Sequence, residues 1–146
     1  MSSGDPLEQI GRDLARREAG RGPARDAARR RAEWMRARVE VLLKRFTEAA
    51  VREGVPYLGA LVEIGPVEPD DKSVRAFQFT LRRGRHEGIV VSKDRKEIML
   101  VGPFKRYQEE GPCNPVQLRE DRMDDATIEA ALETFLLAFL ERSFAK

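Results

Sequence analysis

VRAFQFTLRRGRHEGIVVSKDRKEIMLV, residues 74–101, holds the pattern that decides the fold. Within Val74–Arg82, Phe77, Phe79 and Leu81 alternate with Gln78, Thr80 and Arg82. Period-two alternation is the mark of a strand with one buried face. Gly88–Ser92 and Glu97–Val101 are short runs rich in Val and Ile, the residues that pack best on a pleated surface. Arg83-Gly84 reads as a tight turn and Lys93–Lys96 as a four-residue hairpin loop. Upstream, Tyr57–Ile64 sets Leu58, Ala60, Val62 and Ile64 in phase, and the Pro- and Asp-rich Gly65–Ser73 links that run to the next. Short connections favour pairing between neighbours in sequence, so the expectation is a four-stranded antiparallel meander.

Turn lengths also predict a register. A two-residue turn at Arg83-Gly84 would pair Gln78 with Ile89 and Ala76 with Val91, and the following loop would set Val91 opposite Ile98. With Phe77, Phe79 and Leu81 turned to the core, Ile89, Val91 and Ile98 would line the other face beside Gln78 and Thr80. Such a face is too apolar for bare solvent.

Helices flank this region. Asp5-Pro6-Leu7-Glu8 is a helix start, with a cap at Asp5, Pro at the first helical position and Leu7, Ile10 and Leu14 at helical spacing. The short helix runs over about 6–19, before the breaker cluster Gly20–Pro23. A long helix follows from about 24 to 53 and ends at Gly54; its apolar face includes Ala28, Met35, Val39, Leu42, Phe46, Ala49 and Ala50. Glu40/Lys44 and Glu48/Arg52 are i,i+4 pairs on its solvated side. Gly102–Asp121 reads as a long irregular stretch. A last helix starts near Asp124 or Asp125, where acids suit the first turn, and is broadly apolar, with Leu137 and Phe144 beyond its main face.

The order α-α-β-β-β-β-α defines an α+β domain over residues 23–146, with both larger helices on one sheet face and residues 1–22 as an N-terminal arm. The helix–meander–helix order resembles the topology of the small dimeric nucleoid-associated proteins of bacteria. No motif is shared with them, so no residue role is carried over.

The 146-residue chain is 41% hydrophobic and 36% charged, enough for an unstapled core under a densely ionic surface. Its single cysteine, Cys113, excludes an intramolecular disulfide and fits a reducing, cytoplasmic setting. No signal peptide and no apolar run of membrane length is present. The net charge of +2 hides a basic front and an acidic stretch over residues 108–146.

Little in the chain points to catalysis. His86 is the only histidine and follows an arginine-rich turn, and none of the serines sits in a nucleophile elbow. Cys113 has no base beside it in sequence. Adjacent acids such as Asp70-Asp71 and Asp124-Asp125 point apart in regular structure, and no phosphate-cradling glycine pattern occurs. No catalytic residue, metal or cofactor is therefore expected.

Two readings of function remain. The first is a non-enzymatic interaction protein, a homodimer whose partner surface would use Ile89, Val91, Ile98, Leu137 and Phe144. The second is a nucleic-acid binder in which Arg83, Arg85, Lys105 and Arg106, joined by Arg29, Arg30 and Arg31, form one basic patch. Tyr107 would lie nearby for stacking. Either partner would be met without a membrane.

Overall fold

Along the long helix, Ala28, Ala32, Met35, Val39 and Leu43 recur at steps of three and four, and all five are buried. That stripe has to lie on another apolar surface, and the sheet provides it. The computed structural model describes residues 5–20, 22–70, 73–106 and 115–145. Among these residues, three α-helices, α1 (Pro6–Gly20), α2 (Gly22–Arg52) and α3 (Asp125–Ser143), accompany six strands. These are β1 (Glu63–Ile64), β2 (Glu68–Asp70), β3 (Ser73–Arg83), β4 (His86–Lys93), β5 (Glu97–Lys105) and β6 (Val116–Arg119).

The sheet is antiparallel in the order β1-β3-β4-β5-β6, and β2 also pairs with β3. α2 lies over β3 and β4, and α3 over β5 and β4, so both pack on one face. The α+β class and the helix-covered sheet agree with the sequence pattern. The sheet is larger than four strands, because Gly102–Asp121 is not wholly irregular. Its first residues prolong β5, and Val116–Arg119 adds an edge strand that pairs Leu118 with Ile98. The first expected strand is the converse case. Gly59–Leu61 forms a 3₁₀ turn, leaving only Glu63–Ile64 extended. Gly59 there sits so close to Thr47 of α2 that an added Cβ would force the Thr47 side chain to shift.

The register departs from expectation at both turns. Arg83 pairs with His86, so the tight turn is Gly84-Arg85. Gly84 has φ +59°, which a two-residue loop demands at its first position and only glycine adopts freely. The pairing moves by an even step, to Gln78 with Val91 and Thr80 with Ile89, so the faces survive. The next loop is three residues long, with Lys93 paired to Glu97 and Lys96 at φ 52°. Val91 therefore faces Met99, and Ile98 faces Ser92. This odd step turns Ile98 to the core, where it is fully buried with Phe79, Leu81, Val90 and Leu100.

α3 supplies Ile128, Leu132, Phe135, Leu136 and Phe139 to the same core. Its N-terminus is capped by Asp124, whose carboxylate accepts from the Thr127 backbone N–H at 3.2 Å and from the Thr127 hydroxyl at 2.6 Å. Arg36 ties the sheet edge to α2 by donating from Nε to the Gly65 carbonyl at 2.7 Å. α1 differs from both. It lies outside the core clusters, and Leu7, Ile10 and Leu14 are 81%, 58% and 53% exposed. Among the described residues, no helix is long and apolar enough to cross a membrane.

Candidate functional site

The Gly84-Arg85 turn brings basic residues together because three strand ends meet there. His86 pairs with Arg83 on one side and Lys105 on the other, and the Arg106 N–H donates to the Arg85 carbonyl at 2.8 Å. Arg83, Arg85, Lys105 and Arg106 thus form one cluster, as the meander implied. The C-terminal turn of α3 adds Arg142, which contributes to the field at His86. The His86 pKa is lowered, chiefly by desolvation and then by the charges of Lys105, Arg142 and Arg83.

These cations are not equivalent. Glu87, a buried carboxylate, pairs with Arg82 Nε at 3.0 Å and Arg106 Nε at 3.3 Å. Arg106 also donates to the Gly84 carbonyl at 3.2 Å. The Arg83 guanidinium lies 4.1 Å from the Phe144 ring centroid, a cation–π contact that holds the α3 terminus to the hairpin. Arg85 and Lys105 are exposed and are the members placed to meet a phosphate.

Arg31 belongs elsewhere. Its Nη1 donates to the Ser92 hydroxyl and the Lys93 carbonyl, each at 3.1 Å, at the opposite end of β4. The strand's length separates these ends by roughly 23 Å. Half-buried, the Arg31 guanidinium has its pKa lowered by desolvation and serves to join α2 to the sheet. Arg29 and Arg30 are exposed on the same turn of α2, so the arginine run does not enter the cluster. Tyr107 and Cys113 lie outside the described residues.

The partner-surface residues also separate. Ile98 is core, as the register requires. Val91 and Ala76 are buried on the second sheet face, outside the core clusters, with Ile89, Met99 and Val101 half-buried around them. Buried Glu87 stands at one end of this face; at the other, buried Glu97 meets Lys93, Arg95 and Arg119 at 3.9, 3.2 and 3.8 Å. Phe144 is engaged by Arg83 and lies 5.9 Å from the Phe46 ring. Leu137 alone of the five is exposed, at 53%.

Leu137 borders a feature the sequence reading missed. The outer side of α2 and α3 forms a groove of about 440 Å³ floored by Leu42, Phe46, Leu136, Leu137 and Leu140. Its polar rim includes Arg45, Glu48, Arg52 and Glu133. The signal was present as Leu42 and Phe46 in the apolar face of α2 and Leu137 beyond the main face of α3, but their meeting depends on how the helices pack. Among the described residues, no group of three or more His, Cys, Asp or Glu side chains is placed to hold a metal. The chain matches no protein-family profile, no curated protein and no solved structure.

Proposed function

We propose that this protein is a non-enzymatic interaction module that works as a homodimer in the cytoplasm. The observation that supports this most is the apolar groove between α2 and α3, with Leu137 more than half exposed and, among the described residues, no other element seated on it. Exposed Leu137 stands there beside half-buried Leu42 and Phe46, over buried Leu136 and Leu140, and apolar side chains gathered in a recess open to solvent are characteristic of association sites. Light scattering on a sizing column tests the reading. A mass of two chains at micromolar concentration supports it, and a single-chain mass throughout overturns it.

A second reading is favoured by the cluster at the Gly84-Arg85 turn, where Arg83, Arg85, Lys105, Arg106 and Arg142 meet at one end of the sheet, with Arg106 sharing the Glu87 carboxylate with Arg82. Here the dimer would present the cluster to a nucleic-acid backbone. Arg85→Glu with Lys105→Glu should abolish retention on heparin or duplex DNA while leaving the fold intact. Unchanged retention would remove the cluster from the function.

A further inference from the structure

We infer that the homodimer forms by reciprocal docking, the apolar stripe of α1 from each copy lying in the α2–α3 groove of the other. This rests on the homodimer reading and supplies its interface.

Two apolar surfaces, on which no other described element is seated, are complementary in shape. One is convex, the stripe Leu7, Ile10 and Leu14 on a helix that stands outside the core. The other is the groove, which a smaller recess of about 200 Å³, lined by Arg38, Val41, Leu42, Arg45, Glu129 and Glu133, extends along α2. Val41 there is 53% exposed. An amphipathic helix laid in an apolar groove is a recurrent mode of recognition. At 1.5 Å per residue the stripe from Leu7 to Leu14 spans about 10 Å, which fits within the roughly 21 Å that groove and recess follow along α2 from Arg38 to Arg52. Gly11, which flanks the stripe, has open space around it and permits close approach.

Helical geometry excludes the α1 of the same chain as occupant. Leu7, the farthest apolar residue of α1, lies about 20 Å from Gly20, whereas Leu42 lies about 30 Å beyond Gly22. Folded back along its own α2, α1 falls roughly 10 Å short of the groove floor. A second copy has no such limit, and two-fold symmetry then satisfies both grooves at once. Two ion pairs cross the groove, Arg38–Glu129 at 3.2 Å and Arg45–Glu133 at 3.9 Å. Their side chains are about half exposed or more, and such pairs hold their geometry weakly, so they can yield to an incoming helix.

The test uses the full chain. Ile10→Asp and, separately, Leu137→Asp should each raise the dimer dissociation constant by roughly 100-fold or more, since each removes an apolar contact twice per dimer. Circular dichroism should remain that of the parent protein. In a Cys113→Ala background, Ile10→Cys mixed with Leu137→Cys should give a disulfide-linked heterodimer under oxidation. A dimer that persists unchanged in Ile10→Asp, with no mixed cross-link, overturns the docking mode and leaves the homodimer reading standing. A monomeric parent protein overturns both.

Discussion

At the scale of single residues, the register is the decisive fact, and Ile98 reports it. Its fully buried position between β4 and β6 predicts that Ile98→Ala lowers stability by about 2–5 kcal/mol in urea unfolding. A position on the outer sheet face would show far less. Gly88 makes a related point. A Cβ there would stand 2.7 Å from Phe135 Cζ and 3.5 Å from Phe139 Cδ1. Gly88→Ala should therefore overpack the sheet–α3 contact and lose about 1–3 kcal/mol. His86 gives a pH signature. Its folded pKa lies below the ordinary 6.5, so as pH falls the unfolded chain takes up the proton first. Its contribution to stability is full above about pH 6.5 and declines as pH falls through the folded value. His86→Gln should show a shallower loss of urea midpoint between pH 7 and 5. If a polyanion binds the adjacent cluster, the His86 pKa followed by NMR should rise on its addition.

Among the elements, α2 and α3 are covered within their own chain and the apolar stripe of α1 is not. The stripes of α2 and α3 end in the core, while Leu7, Ile10 and Leu14 of α1 meet solvent. α3 depends on its start. Asp124→Ala removes the acceptor for both Thr127 donors and should lower the melting temperature at neutral pH. The Asp124 carboxyl titrates below its ordinary value because the Thr127 hydroxyl and N–H bond its charged form. Its contribution is complete above about pH 3.9 and disappears as pH falls through the folded value, so parent and variant should converge in acid. The β4–β5 loop shows why element boundaries mattered here. Lys96 in the left-handed region shortens the loop by one residue, and that residue decides which side of the sheet Ile98 occupies.

For the whole molecule, charge and apolar surface occupy different places. The basic cluster sits at the Gly84-Arg85 end of the sheet, and the groove sits on the outer side of the helical layer. The proposed dimerisation and anion binding would therefore use different side chains, although Phe144 links the two regions by contacting Arg83 and lying 5.9 Å from Phe46. Salt should weaken nucleic-acid retention steeply, with log affinity linear in log salt concentration, while the apolar dimer changes little. Sizing runs at low and high salt, with absorbance read at two wavelengths, check both at once.

Much of this protein was legible in its sequence. The alternation of Phe77, Phe79 and Leu81 with polar neighbours, the stepped stripes of the long helices, and the turn residues between strands are local signals. They determined an α+β fold with two helices on one face of an antiparallel sheet. They also placed Arg83, Arg85, Lys105 and Arg106 at one strand end, because antiparallel hairpins alternate ends by necessity. What only the tertiary structure decided were contacts between segments distant in sequence. Val116–Arg119 became a strand by pairing with β5, and Arg31 was drawn to Ser92 and Lys93 instead of the basic cluster. The α2–α3 groove exists because two helices cross at an angle that neither helix encodes alone. Local propensity fixes which residues form a face; packing between elements fixes which face meets which, and therefore which apolar side chains are left for a partner.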